Sequence, residues 1–185
     1  MDYKKITQLS YEATAHEFSR NVADLAPLAS LQKFVRLLPP KAKILDIGCG
    51  SGRDCNILSE MGFDVVGIDL CHALLEIAKK NAPSAHFLQM DVEQLSFSDR
   101  SFEGIWSACS LAHLSKNKFP EVLKTLYRLL TPGGCFYLSL KKGKGEGVQK
   151  DGRYGGCEKF WAYYEKEEVD TLLQAVPFKV LEYCE

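Results

Sequence analysis

Apolar residues recur along this 185-residue chain with two distinct periods, and the switches between them mark out its elements. Over residues 7–38 they fall close to helical spacing (Tyr11, Phe18, Val22, Leu25, then Leu31, Phe34, Val35, Leu38), broken by Pro27. Two short helices are predicted there, closed by Pro39-Pro40, which forces an extended approach to the first strand. Compact apolar runs then alternate with amphipathic stretches. Strands are predicted at 44–47, 63–68, 85–90, 102–107 and 135–140, with helices from about Arg53 and over 71–81 and 118–130 between them. Residues 141–158 break the pattern: they are glycine-rich, charged and aperiodic, and are predicted to form a long loop. A helix over 165–175 and a strand over 178–183 complete the order.

Apolar strands alternating with amphipathic helices call for a parallel sheet covered on both faces and linked by right-handed crossovers. The expected architecture is a single α/β domain, a Rossmann-like, doubly wound and mostly parallel sheet. Residues 1–40 form a helical cap, 41–140 the core, 141–164 a substrate loop, and 165–185 the last helix and strand. Composition agrees with one globular domain: 46% of residues are hydrophobic and 25% charged. A net charge of -1 gives no general attraction for nucleic acid. No apolar run approaches the about 20 residues that span a bilayer, and the N-terminal stretch lacks the apolar core of a secretory signal. The seven cysteines are scattered and never form C-x-x-C, so they read as free thiols in a cytoplasmic protein, with no metal site expected.

The chemistry concentrates between residues 43 and 69. A short apolar run ends in Gly48, Gly50 and Gly52, a helix comes next, and a second apolar run ends in Asp69. Glycines permit a sharp turn and close backbone approach to a ligand, and the helix behind them offers unpaired N–H groups. A dinucleotide fold wants G-x-G-x-x-G. Here the spacing is G-x-G-x-G, and Asp46 lies two residues ahead, a carboxylate that would repel a pyrophosphate but suits an ammonium or sulfonium. An NAD-dependent enzyme is therefore disfavoured.

Residues 44–52 (Ile-Leu-Asp-Ile-Gly-Cys-Gly-Ser-Gly) resemble the first motif of class I S-adenosylmethionine (SAM)-dependent methyltransferases. Val66-Gly67-Ile68-Asp69 resembles their second-strand acid, and Asp91-Val92 matches the position that brackets adenine. Residues 102–107 with His113-Leu114 resemble the small-molecule, type 11-like branch, and Leu129-Leu130-Thr131-Pro132-Gly133-Gly134 resembles the family's L-x-P-G-G turn before the fifth strand. Glu103 stands where many relatives carry Asp. The family sheet closes with an antiparallel seventh strand that is missing here after the expected sixth, which leaves an open edge where dimerisation is conceivable.

The resemblance implies SAM as cofactor, S-adenosylhomocysteine (SAH) as product, and a small-molecule acceptor. Asp46, Gly48, Cys49 and Gly50 are then expected at the methionine end, Asp69 and Leu70 at the ribose, Asp91 and Val92 at the adenine, and Ser107 and Ala108 beneath the sulfonium. Tyr11 and Arg20 of the cap are expected to close over the methionine end, Arg20 pairing with its carboxylate. His113, at the carboxyl end of the sheet, is the candidate general base. Tyr154, Trp161 and Tyr163 are candidate acceptor contacts in the aromatic segment. A tRNA-base or protein methyltransferase, and a catalytically silent SAM-binding or partner-binding domain, remain the alternatives.

Overall fold

The computed structural model describes residues 2–184. Five strands form its main sheet: β1 (Lys43–Ile47), β2 (Asp64–Asp69), β3 (His86–Gln89), β4 (Phe102–Ala108) and β5 (Leu130–Ser139). Their order is β3-β2-β1-β4-β5, and every pairing in this sheet is parallel. The order reverses at β1, so the carboxyl ends of β1 and β4 open the crevice where such sheets bind ligands. The central strands have no polar face. Ile44 and Val65 face one side, against Leu31 and Phe34 of α2 (Leu28–Val35) and Cys55 and Leu58 of α3 (Arg53–Glu60). Leu45, Val66 and Ile105 face the other, against Val122, Leu123 and Leu126 of α5 (Phe119–Leu129). Burying both faces is what made these strands read as continuous apolar runs.

Helix α1 (Tyr3–Val22) crosses the carboxyl ends of the strands and packs on α4 (His72–Asn81) through Tyr11, Phe18, Ala15, Cys71 and Leu74. Its Glu12 supplies the cap that α4 lacks in its own sequence, accepting from the N–H groups of His72 at 2.7 Å and Ala73 at 3.0 Å.

Two expectations are corrected. Residues 141–164 are not a loop: β6 (Lys141–Lys142), β7 (Glu146–Asp151) and β8 (Cys157–Tyr164) form a second sheet in the order β6-β8-β7. The β7/β8 hairpin is antiparallel, pairing Glu146 with Ala162 and Asp151 with Cys157. The glycine-rich, charged residues lie on the mostly exposed β7, whereas β8 buries Lys159, Phe160, Trp161, Ala162 and Tyr164, so neither strand shows simple alternation. The strand expected at 178–183 does not form. After α6 (Lys166–Gln174), Phe178 packs on Tyr127 and Phe136, while Val180 and Leu181 remain 49% and 63% exposed and do not pair with the open edge of β5. Among the described residues, no helix is long and apolar enough to cross a membrane.

Candidate functional site

A cavity of about 450 Å³ opens at the carboxyl ends of β1, β2 and β4, roofed by α1 and walled on one side by β8. That size falls within the range of small-molecule sites. Its floor is the glycine turn. Gly48, Gly50 and Gly52 all hold φ between 56° and 79°, the left-handed region where a side chain is strained. A Cβ on Gly48 would lie 2.3 Å from the Cβ of Ser110, and one on Gly50 would lie 3.3 Å from the Phe18 ring. Ser110 is itself fixed, its hydroxyl donating to the Ile47 carbonyl and meeting Ser107 Oγ at 2.9 Å.

Asp69 ties this turn to β2. Its Oδ2 accepts from Gly50 N–H at 2.9 Å and its Oδ1 from Cys71 N–H at 2.8 Å. Two bonds leave lone pairs free, so the carboxylate can both hold the backbone and accept hydroxyls from the cavity. Burial raises its pKa, and the backbone donors oppose that shift. Asp46 is buried beneath the turn and accepts from the Cys55 thiol at 3.1 Å. Burial, then the Asp54 charge, push its pKa well above the carboxylate range. Asp91 accepts from Glu93 N–H at 2.9 Å and pairs with Lys4 at 2.7 Å, fastening the start of α1 beside the exit of β3. Gln8 bonds the Leu70 carbonyl from the same helix.

At the other end, His113 sits between Tyr11 and Trp161, whose ring centroid is 4.0 Å away. Its Nδ1 meets the Phe160 carbonyl at 2.7 Å. A carbonyl only accepts, so Nδ1 carries the proton, and Nε2 accepts from the Tyr11 hydroxyl at 3.0 Å. Burial pushes the His113 pKa down to about 4 against the Phe160 bond, with the Lys159 and Lys141 charges adding to the depression. The native state thus refuses a proton that the unfolded chain takes up below about pH 6.5. Stability to urea should therefore fall as pH drops from about 6.5 toward 4, and the His113→Gln variant should show a flatter profile across that window. Equal slopes in the two proteins would refute a buried, neutral imidazole.

The expected site residues separate into two groups. Tyr11, Asp46, Gly48, Cys49, Gly50, Asp69, Leu70, Asp91, Val92, Ala108, His113, Tyr154 and Trp161 all line the cavity. Ser107 is fully buried behind the wall, and the Tyr163 hydroxyl bonds Gln149 away from the cavity. Arg20 is exposed outside it. The arginine that lines the floor is Arg53, held by Asp54 at 2.7 and 3.1 Å and reaching the Val22 carbonyl at 3.1 Å. Its position directly after the third glycine was a usable signal. So was the spacing of Lys4, Gln8 and Glu12, which puts three polar side chains on one face of α1.

The family described as "Methyltransferase domain" matches residues 44–134. A malonyl-[acyl-carrier protein] O-methyltransferase of Serratia marcescens is 32% identical over 135 residues, covering 69% of this chain and 52% of that protein. An uncharacterized methyltransferase of Synechocystis sp. is 32% identical over 101 residues, covering 55% and 48%. The chain thus spans about half the length of the curated relatives it matches. The structure of Burkholderia thailandensis 1,6-didemethyltoxoflavin-N1-methyltransferase, with 1,6-didemethyltoxoflavin and S-adenosylhomocysteine bound, superposes with a TM-score of 0.74. It shares 21% identity, and the match covers 94% of this chain and 76% of that one. With the glycine turn, the acid ending β2 and the 3-2-1-4-5 sheet in place, the chain belongs to the class I SAM-dependent methyltransferase family.

Proposed function

We propose that this protein is a SAM-dependent methyltransferase that transfers the methyl group to a small-molecule acceptor. The observation that carries the reading is the Asp69 carboxylate, bonded to Gly50 N–H and Cys71 N–H and lining a cavity whose floor is bare glycine backbone. Bound SAM supplies a methyl group on a positively charged sulfur, ready for direct displacement by a nucleophile. Asp46, Gly48, Cys49 and Gly50 shape the methionine end, with Arg53, rather than the exposed Arg20, as the near cation. Asp69 and Leu70 take the ribose, and Asp91 with Val92 the adenine edge. Ala108 lines the space beneath the reacting centre, with Ser107 supporting it from behind.

The residues over the acceptor align and exclude water, which contributes most of the rate in reactions of this kind. Tyr11, Tyr154 and Trp161 wall that space with aromatic rings. His113 has both nitrogens engaged, so a role as general base requires Tyr11 to release Nε2. The acceptors named for two of the relatives, malonyl-[acyl-carrier protein] and 1,6-didemethyltoxoflavin, support a compact acceptor group. The -1 net charge lends no support to a tRNA acceptor.

Calorimetric titration of the full chain with SAM, SAH and NAD tests the reading. SAM and SAH should bind in the micromolar range, about 8 kcal/mol, and NAD should not. Binding of NAD without SAM would refute it. Binding of SAM without SAH release toward any of a panel of small nucleophiles would leave a silent SAM-binding domain.

A further inference from the structure

The strand exits lay charge out in sequence across the cavity. Asp91 follows β3 and Asp69 ends β2, so the carboxylates stand in the first half, Asp91 paired there with Lys4. Lys141 follows β5 at the opposite edge of the sheet and lines the same cavity, together with Arg153 from the turn between β7 and β8. Lys159 stands behind them, fully buried, with Nζ 4.1 Å from the Tyr11 ring centroid and 4.0 Å from that of Tyr154. Lys141 Nζ lies 3.3 Å from the Trp161 ring centroid.

Among the described residues, one carboxylate serves these three cations. Asp151 takes Arg153 through two bonds of 3.0 Å and Lys159 at 3.3 Å, and Lys141 is left to the Trp161 face. Glu146, on the same hairpin, turns away to bond Ser115 and the Lys116 N–H. Arg153 is 64% exposed and shares its carboxylate with the buried Lys159, so Lys141 is the cation left without one beside a partly dry, aromatic-walled space. Burial and the neighbouring Arg153 charge both penalise the charged form of Lys141, with Asp151 offsetting only part of it. Buried positive charge is normally matched by an anion; Asp151 does this for Lys159, and none of the described carboxylates does it for the partly buried Lys141.

We propose that this end of the cavity is an oxyanion subsite: the methyl acceptor carries a carboxylate or phosphate group, held by Lys141 and Arg153 over the Trp161 ring. The inference rests on the reading that the acidic half holds SAM, because the acceptor must then occupy the basic half. An acceptor that arrives as an anion also fits a site whose imidazole, His113, has no free nitrogen, since an ionised oxygen needs no base to remove a proton. The cations lie inside a cavity on a chain of -1 net charge, which fits a small acid better than a polyanion.

The test is calorimetry on the SAH-loaded full chain with sodium malonate, sodium benzoate and inorganic phosphate, with malonamide and benzamide as uncharged controls. At least one anion should bind with Kd below about 1 mM and its amide should not. Lys141→Met and Arg153→Gln should each weaken that binding about tenfold or more, while affinity for SAH stays at the wild-type value. A carboxylate that binds where phosphate does not identifies an organic acid, and the reverse a phosphate ester. If none of the three anions binds, or if both variants hold them like wild type, the subsite is overturned while the cofactor reading stands. Failure of SAH to bind the wild-type chain overturns both.

Discussion

Gly48→Ala is expected to lower folding stability by about 3 kcal/mol and to abolish SAM binding in the same range of concentrations that saturates wild type. The added Cβ would lie 2.3 Å from that of Ser110, and Ser110 cannot step aside without breaking its bonds to the Ile47 carbonyl and Ser107. The φ of 65° adds backbone strain of about 1 kcal/mol. Gly62→Ala is the comparison. Its φ is 89°, also left-handed, but nothing stands within 4 Å of a Cβ there. Urea unfolding should show Gly62→Ala losing only the strain, with SAM binding intact. Equal losses in the two variants would mean that the approach of Ser110 to the turn is not what demands glycine.

Asp69→Ala is expected to weaken SAM binding by at least about 100-fold, or about 2.7 kcal/mol. It deletes the acceptor of two backbone donors as well as the group proposed for the ribose hydroxyls, and hydrogen bonds to charged acceptors are worth about 1.5–3 kcal/mol each. Asp69→Asn keeps one side-chain oxygen but turns the other acceptor into a donor that faces an N–H group, so it should fall between wild type and alanine. Undiminished SAM affinity in Asp69→Ala would sink the ribose assignment. A loss of stability without loss of affinity would leave Asp69 as a backbone fastener only.

The core strands were legible because their neighbours cover them completely. Ile44, Leu45, Val65 and Val66 are buried on alternating faces, and a short apolar run just after a proline stop has little place in a fold except a covered strand. The glycine spacing was legible for a local reason: three left-handed residues in alternation leave little choice of side chain. Strand β8 was not legible because a fully buried lysine, Lys159, stands among its apolar residues, and its cation is stabilised by rings from α1 and the hairpin turn. No periodicity of sequence reports that. The segment 178–183 erred in the opposite direction. Its alternation suits a strand, but its one aromatic anchor, Phe178, packs on Tyr127 and Phe136 and the residues after it stay exposed beside the open edge of β5. Arg53 was marked in the sequence by its place directly after the third glycine, whereas the exposure of Arg20 outside the cavity is a tertiary fact.

The buried residues of α1 are Thr7, Ser10 and Ala15, none of them a large hydrophobe. The helix is held over the cavity by polar fasteners (Lys4 to Asp91, Gln8 to Leu70, Tyr11 to His113, Glu12 to α4) and by edge contacts of its aromatic rings. The neutral bonds, from Gln8 and Tyr11, exchange with water at a net gain of about 1 kcal/mol, and those to the carboxylates of Asp91 and Glu12 at about 1.5–3 kcal/mol each. A roof built this way can be loosened one fastener at a time. Affinity for SAM is then an intrinsic affinity scaled by the share of molecules whose roof is in its binding position. Substitutions at Lys4, Gln8 or Glu12 would retune how readily the site fills and empties while leaving Tyr11 and every group over the reacting atoms in place.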